Sequence, residues 1–334
     1  MPSTTTSRPF LLVNMSSGDD RDTDDLLAAA RELGVTVIEI EPPAPDARDD
    51  EDDVDDFGPG VANRADAEPP DDENPLEAAI RQAIEAGADV IGMAGGDGSL
   101  GLVAQAAMEA DIPFVCIPFG TRNHFARDVG LDRKDPVGAL AAFHGLERRV
   151  DVGRVNGRVF LNNVTCGVYA EAVHEDAYRE RKIRTVARVG TELLKGEREG
   201  DPIIIDGPEG AVFESPFALL ISNNCYELDS MGLPGTRERL DRGELQVCVV
   251  DVERGAELLG VAATATGRNL EEHPAFHQWL TSQQVIRSDE PLVKAGVDGE
   301  ATELCPPVCV EVDPRALRIL LPTEVAVEID LDPA

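Results

Sequence analysis

Short apolar runs alternate with amphipathic segments through the first 120 residues. The apolar runs are rich in Val, Ile and Leu and predict four buried strands, at 10–14, 35–40, 89–94 and 112–117. The segments between them repeat apolar residues at helical spacing and predict three helices, at 24–33, 75–86 and 100–110. Alternation of strands and helices is typical of a parallel sheet covered by helices.

From about residue 150 the pattern changes to short β-rich runs, most of them separated by Gly, Asn, Asp or Pro. These runs predict nine strands, at 151–155, 158–164, 203–205, 212–222, 243–252, 284–288, 293–297, 309–312 and 317–320. One helical segment, 178–195, interrupts them. Many short strands at this spacing are typical of an antiparallel sandwich.

This change of pattern sets the predicted domain limits. We expect an α/β domain over 1–148, a β-rich domain over 149–322, and a tail over 323–334 whose return to the first domain stays open. Residues 41–75 interrupt the first domain and carry a net charge of −12. Such a segment has too little apolar surface to fold by itself, so we expect a disordered acidic insertion.

Composition and charge restrict the function classes. The 334 residues carry a net charge of −34, which argues against a surface that neutralises nucleic-acid phosphates. Only four of the 30 basic residues are lysines, and an acidic, lysine-poor surface favours a halophilic protein. The chain has neither an apolar run that could span a membrane nor the pattern of a secretory signal at its start. We therefore expect a cytoplasmic protein.

The first candidate site follows the third predicted strand directly. Because glycines lack Cβ, the backbone N–H groups of Gly95, Gly96 and Gly98 can approach a phosphate closely. A helix that begins near Ser99 adds the positive end of its dipole. The carboxylate of Asp97 could hold Mg²⁺. A tight turn capped by Asp97 needs the same residue types, so the motif alone leaves both interpretations open.

A second polar loop, at 118–127, follows the fourth predicted strand. Since α/β sheets bind ligands at the carboxyl ends of their strands, we expect both loops at one edge of the sheet. Arg122 and Arg127 could bind phosphates, although a surface ion pair with Asp128 or Asp132 explains Arg127 equally well. The loop also offers a nucleotide a glycine, a hydroxyl and an amide, from Gly120, Thr121 and Asn123.

Together the two loops resemble the diacylglycerol kinase catalytic family, soluble lipid kinases related to sphingosine kinases and NAD kinases. Other segments are similar to motifs of that family: 12–18, Asp151, 159–163 with Gly167, 297–300 and 307–322. The resemblance covers nearly the whole chain apart from 41–75. It implies an N-terminal doubly wound α/β domain that binds a nucleotide, a C-terminal antiparallel β-sandwich domain, and an active site in the cleft between them.

The resemblance also implies roles for individual residues. Asp298 would be the general base that takes the proton of a lipid hydroxyl, although without the resemblance the residues Asp298-Gly299-Glu300 favour a hairpin turn. Asp97, Asp151 and Glu300 would hold Mg²⁺, and Asp97 and Glu300 would thereby take part in catalysis. ATP would bind to three segments, through Asn14, Gly95, Gly96, Gly98, Ser99, Gly120, Thr121 and Asn123.

The resemblance thus predicts an ATP- and Mg²⁺-dependent lipid kinase of phospholipid biosynthesis, acting on a diacylglycerol-like glycerolipid. An NAD kinase is the alternative enzyme, because NAD kinases also use a Gly-Gly-Asp-Gly loop, but the loop at 118–127 differs from theirs. A catalytically silent nucleotide-binding regulator is a further alternative, and the presence of Asp97, Asp298 and Glu300 argues against it. A homodimer stays open.

One segment is basic in this acidic chain. Residues 179–188 contain five basic side chains and one acid, and apolar residues of the predicted helix 178–195 fall on one face. We hypothesise that its basic face contacts an anionic membrane, which would place the protein at the inner membrane face next to its lipid. A solvated face that pairs with nearby carboxylates explains the same residues.

Overall fold

The computed structural model describes most of the chain. The described residues are 7–17, 20–41, 74–167, 202–228, 234–252, 273–329 and 331. Two predictions lie outside them: the basic helix at 178–195 and all but the ends of the acidic insertion. In the part of the chain that is described, no helix is long and apolar enough to cross a membrane.

The first half alternates strands and helices as the hydrophobic pattern predicts. Its elements are β1 (Pro9–Asn14), α1 (Asp20–Glu32), β2 (Thr36–Ile40), α2 (Pro75–Glu85), β3 (Val90–Gly95), α3 (Asp97–Glu109), β4 (Phe114–Pro118), α4 (His124–Asp128), α5 (Pro136–Ala139) and a 3-10 helix (Leu140–His144). The four strands pair in parallel in the order β2-β1-β3-β4. Successive residues of β1, β3 and β4 are buried, because both faces of this sheet are covered.

The second half is rich in strands. Its elements are β5 (Leu146–Val155), β6 (Arg158–Phe160), β7 (Asn163–Gly167), β8 (Ile203–Asp206), a 3-10 turn (Pro208–Gly210), β9 (Val212–Glu214), β10 (Ala218–Asn223), β11 (Tyr226–Leu228), β12 (Pro234–Arg237), β13 (Leu245–Val250), β14 (Phe276–Thr281), β15 (Gln283–Ser288), β16 (Val293–Val297), β17 (Glu300–Leu304), β18 (Val308–Leu321) and α6 (Thr323–Glu328).

Most of the described strands lie in two sheets. The larger sheet has ten strands and the path β2-β1-β3-β4-β18-β15-β8-β9, with β5 on β18 and β6 on β5. The smaller sheet has the order β14-β13-β10-β7-β16-β17, and β11 pairs with β12 separately. A core lies between the two sheets, with Ile205 and Ile286 from the larger sheet and Ile221 and Val247 from the smaller one. The predicted α/β half followed by an antiparallel sandwich is confirmed.

β18 connects the two halves of the molecule. Near its end, Ile319 pairs in parallel with Phe114 of β4, whereas its start pairs antiparallel with β15. β5 runs antiparallel along most of β18, with an irregularity between Asp313 and Leu317. The larger sheet therefore continues from the α/β half into the β half.

Differences from the predicted strands have local causes. The run at 212–222 is split into β9 and β10, and Ser215 between them has a positive φ of 49° that breaks the extended chain. The two runs predicted at 309–312 and 317–320 are one strand, because β5 pairs with both sides of the irregularity. The run predicted at 158–164 is divided between β6 and β7, and β11, β12, β14 and β17 were not predicted from the pattern.

The apolar residues form two main cores. The predicted domain limit at 148 falls inside β5, where Val152 belongs to the first core and Val155 to the second. Ala326 of α6 and Leu331 lie in the first core, so this part of the tail packs on the α/β half. The domain limits themselves stay a prediction, because one sheet runs through both halves.

We expect Ile319→Ala to lower the free energy of unfolding by about 2–5 kcal/mol. Its side chain is 1% exposed and lies where β18 meets β4, so the smaller residue leaves a cavity at the junction of the halves. Val327→Ala, at a position that is 71% exposed, is the control and should change the value by less than about 0.5 kcal/mol. Urea unfolding measures both, and equal losses would contradict this role of β18.

Candidate active site

The loop after β3 leads directly into α3. Gly96 precedes the helix and Asp97 is its first residue. Asp97 is 7% exposed, and its carboxylate accepts hydrogen bonds from the backbone amides of His124 (3.1 Å) and Phe125 (3.2 Å), which begin α4. Asp97 therefore joins the first loop to the second one.

Asn123 shapes the second loop. Its side chain accepts a hydrogen bond from the amide of Gly120 at 2.9 Å and donates one to the carbonyl of Gly120 at 2.7 Å. Its φ of 49° is in the left-handed region, which Asn tolerates better than most residues. Both polar atoms of the Asn123 side chain are therefore used within the loop, where they hold the backbone of Gly120 in position.

The glycines of the two loops have different surroundings. A Cβ on Gly120 would lie 2.6 Å from Cα of Gly96, and one on Gly98 would lie 1.9 Å from Oε1 of Glu300. Backbone packing therefore requires glycine at 120, whereas at 98 a Cβ would displace the side chain of Glu300, which is about half exposed. A Cβ on Gly96 would have no atom within 4 Å, so the space beside Gly96 is open.

Asn14, at the end of β1, borders the first loop. A Cβ on Gly95 would lie 3.7 Å from Cβ of Asn14 and 3.5 Å from Cβ of Ser99, so these three residues are neighbours. The side-chain oxygen of Asn14 accepts hydrogen bonds from the amide and hydroxyl of Ser16. Thr121 is exposed. The eight residues predicted to bind the nucleotide thus lie at or just after the carboxyl ends of β1, β3 and β4, at one edge of the sheet.

Asp298 lies in the turn between β16 and β17 and has a φ of 51°. Its Oδ2 accepts a hydrogen bond from the amide of Leu161 (2.8 Å), and its Oδ1 accepts from the amides of Asn162 (2.7 Å) and Asn163 (3.1 Å). Three consecutive amides of the turn between β6 and β7 therefore hold one carboxyl group.

The surroundings of Asp298 change its acidity. Loss of hydration raises the pKa of Asp298 to about 7; the charge of Asp97 also raises it, and the three amides oppose the rise. Near neutral pH this carboxyl is thus divided between its two protonation states. A group with this pKa is suited to accept and release a proton.

The first turn of α3 brings three predicted catalytic acids together. A Cβ on Gly101, one turn after Asp97, would lie 3.5 Å from Oδ2 of Asp298. The carboxylate of Glu300 lies against Gly98, is about half exposed, and accepts a long hydrogen bond of 3.4 Å from Nη2 of Arg158. Residues from the two halves of the chain therefore meet at the N-terminal end of this helix.

Asp151 lies in different surroundings. It is buried on β5, and its carboxylate accepts hydrogen bonds from Nδ2 of Asn224 (3.0 Å) and the amides of Gly243 (2.6 Å) and Arg315 (2.7 Å). Burial raises its pKa, against these hydrogen bonds. Among the residues that the structure describes, no three His, Cys, Asp or Glu side chains cluster as a metal site. The three predicted Mg²⁺ ligands are thus not assembled as one cluster, and that set stays a prediction.

The arginines of the second loop make different contacts. Nε of Arg127 pairs with Oδ1 of Asp128 at 3.0 Å, one of the two ion-pair partners that the sequence left open, and Nη2 donates to the carbonyl of Gly235. Nη1 of Arg122 would be 3.4 Å from a Cβ on Gly299. Arg122 therefore lies beside the turn that carries Asp298.

The sequence analysis missed Arg237, the last residue of β12. It is 3% exposed and donates hydrogen bonds to Oδ2 of Asp128 (2.7 Å), Oδ1 of Asn162 (2.8 Å) and the carbonyls of Leu161 (2.6 Å) and Asn223 (2.9 Å). In the sequence it is one of several arginines in a charged run, and no local signal separates it from a surface residue.

Comparison with known proteins supports the resemblance found in the sequence. Residues 8–155 match the family model of the diacylglycerol kinase catalytic domain. This part of the chain is therefore similar to the diacylglycerol kinase catalytic domain. The matched residues include β1, β3, β4 and both loops, so the similarity covers the edge of the sheet described above.

Relatives are similar over most of their lengths. A Pseudomonas aeruginosa protein named "Probable lipid kinase YegS-like" is 27% identical over 249 residues, covering 73% of this chain and 80% of that protein. The diacylglycerol kinase of Bacillus subtilis is 25% identical over 264 residues, covering 76% and 83%. A solved diacylglycerol kinase structure from Bacillus anthracis has a TM-score of 0.58 at 17% identity, covering 96% of this chain and 98% of that one. This last likeness shows a shared fold.

We expect the carboxyl of Asp298 to titrate near pH 7 in the Mg²⁺-free protein, protonated below that pH and ionised above it. In Asp97→Asn the pKa should fall, because a negative charge that favours the neutral form is removed. The chemical shift of the carboxyl carbon, followed by NMR, measures both values. Asp313→Asn, in the ion pair with Arg154, is the control. A midpoint near the ordinary value of about 4, or no response to Asp97→Asn, would contradict the arrangement.

Proposed function

We propose that the protein is an ATP-dependent lipid kinase that transfers the γ-phosphate to a hydroxyl of a diacylglycerol-like glycerolipid. The observation that carries this proposal is the placement of Asp298, a carboxyl with a pKa near 7, at the first turn of α3 beside Asp97. The names of the two relatives, a lipid kinase and a diacylglycerol kinase, support the substrate class.

The open space at Gly96 supports binding of the nucleotide phosphates there. It lies where β3 passes into the 13-residue helix α3, whose N-terminal end favours anions. Beside Gly98 and Gly120, by contrast, neighbouring protein atoms occupy the space that a Cβ would need. These two glycines therefore border the open space at Gly96 and leave no room for phosphates beside themselves. Thr121 is exposed at the second loop and Asn14 borders the first. ATP would thus lie along the carboxyl edge of the parallel strands.

The acids near Gly98 fit a magnesium ion bound with ATP. Kinase Mg²⁺ is ordinarily held by one or two carboxylates together with substrate phosphates, and a cage made only of protein ligands is not needed. Asp97 and Glu300 would hold it, and it would supply neutralisation of phosphate charge. Asp151 is left out of this pair because three donors already hold its carboxylate.

Phosphoryl transfer depends on positioning and charge neutralisation more than on covalent chemistry. Asp298, in its ionised form, would accept the proton of the lipid hydroxyl while the hydroxyl oxygen attacks the γ-phosphorus of ATP. The O–H bond breaks toward Asp298, a new P–O bond forms, and ADP leaves. Arg122, next to the same turn, would offset negative charge on the phosphates. The lipid would enter through the cleft between the two halves, from an anionic membrane that the basic segment 178–195 contacts.

Transfer of radiolabelled phosphate from ATP to diacylglycerol in vesicles, at several salt concentrations, tests the proposal. Asp298→Asn should lower kcat by about 10²–10⁴-fold, because the base is lost, while Mg²⁺–ADP still binds. Asp206→Asn, in an exposed pair with Arg287, is the control. Labelling of NAD in place of lipid would identify an NAD kinase. Nucleotide binding without transfer to any lipid extract would identify a silent regulator.

Gly96→Ala tests the phosphate position separately. The backbone angles of Gly96, −79° and 168°, suit any residue, so the melting temperature should not change. The added methyl should weaken ADP binding roughly tenfold or more, since overpacking costs about 1–3 kcal/mol. Gly120→Ala is the contrasting variant and should destabilise the fold, because its Cβ would overlap Gly96. Unchanged ADP affinity in Gly96→Ala, by calorimetry, would place the phosphates elsewhere.

A further inference from the structure

The ion pair between Asp128 and Arg237 is withdrawn from water. Both side chains have no exposed surface, and Nε of Arg237 lies 2.7 Å from Oδ2 of Asp128. Arg237 also lies over the ring of Tyr226, 5.0 Å from its centre. Asp128 is in the α/β half and Arg237 is in the β half, so the pair joins them.

The other hydrogen bonds of Arg237 reach the turn that holds Asp298. Its Nη1 donates to the carbonyl of Leu161 and its Nη2 to Oδ1 of Asn162. The amides of the same two residues donate to the carboxyl of Asp298. The turn therefore contacts both the guanidinium of Arg237 and the carboxyl of Asp298.

Asp128 extends this connection to Asp97. It is the last residue of α4, and the first amides of α4, from His124 and Phe125, hold the carboxylate of Asp97. A continuous path of hydrogen bonds and one short helix thus leads from Asp97 through Asp128 and Arg237 to Asp298. No step of this path depends on a long flexible side chain in water.

Stability alone is a weak reason for such a pair. Taking both charges out of water costs much of what their attraction returns, and apolar residues of similar size often replace buried pairs without loss of stability. A planar guanidinium does have fixed donor directions, which suit it to hold several acceptors in one geometry. Here the acceptors belong to both halves, namely Asp128, Leu161, Asn162 and Asn223.

We propose that Arg237 is a positioning residue, which fixes Asp298 relative to Asp97 by joining Asp128 to the turn at 161–163. The inference rests on the proposed lipid kinase function. Arg237 touches neither substrate in this proposal, and its effect on the reaction passes through the turn and α4. Loss of the connection would displace the base from the phosphate-binding loops, and a displacement of about 1 Å can lower a rate by about 10²-fold.

The test uses the full chain and a double variant, Asp128→Leu with Arg237→Met, which removes both charges together. The control is Glu147→Leu with Arg318→Met, which removes both charges of another ion pair. In that pair Arg318 of β18 donates two hydrogen bonds to Glu147 of β5, and the pair lies away from both loops. Functional sites are counted by titration with Mg²⁺–ADP. Phosphate transfer to diacylglycerol vesicles is then expressed per ADP-binding site, and KM for ATP is measured separately.

We expect kcat per ADP-binding site to fall about 100-fold in the Asp128/Arg237 variant, with KM for ATP within twofold of the wild type. The control should keep the wild-type kcat. A residue that only stabilised the fold would lower the number of binding sites and leave kcat per site unchanged, and that result overturns the proposal.

Arg237→Lys decides the case if the double variant does not fold. Lysine keeps the charge beside Asp128, but a single ammonium cannot reproduce the fork that reaches the four acceptors, so kcat per site should fall about tenfold. Wild-type kcat per site in Arg237→Lys overturns the positioning role while the kinase function stands. A wild-type chain that binds Mg²⁺–ADP and phosphorylates no lipid overturns both.

Discussion

The structure depends on keeping two carboxyl groups close together with little water around them. Asp97 and Asp298 repel each other when both are charged, and each loses hydration. Backbone amides compensate: two from the start of α4 bind Asp97, and three from the turn at 161–163 bind Asp298. These amides reach the two carboxyl groups only if the second loop and the turn at 161–163 are held in place. Keeping Asp97 and Asp298 together therefore requires a fixed arrangement of both halves of the molecule.

The sheet supplies the frame for that requirement. β18 pairs with β4 of the α/β half and with β15 of the sandwich, and β5 accompanies it along most of its length. The two halves are therefore joined by a continuous ladder as well as by the chain. β6 is an extension of this ladder, and it ends next to the turn that holds Asp298. This continuous sheet determines where Asp298 and Glu300 meet the first turn of α3.

Residues whose role depends on local chain geometry could be predicted from the sequence. The glycines at 98 and 120 were expected from the two loops; the backbone of Gly96 approaches Gly120 too closely for a Cβ, and the side chain of Glu300 occupies the space beside Gly98. Residues whose role depends on distant partners could not be predicted in the same way. Asp151 was grouped with Asp97 and Glu300, yet its carboxylate binds donors from β5's neighbours, and Arg237 was not singled out. Both side chains are held mainly by partners that lie more than 70 residues away in the sequence.

The sequence by itself determined the alternation of strands and helices in the first half, the short strands of the second, and the chemistry of the loops. These follow from side-chain periodicity and from the conformations that Gly, Asn and Asp allow, which act over a few residues. Only the tertiary structure decided which acids meet, that Asn123 supports its own loop, and that a buried arginine joins the halves. Those outcomes depend on desolvation and on hydrogen bonds between distant segments, and no local pattern carries that information.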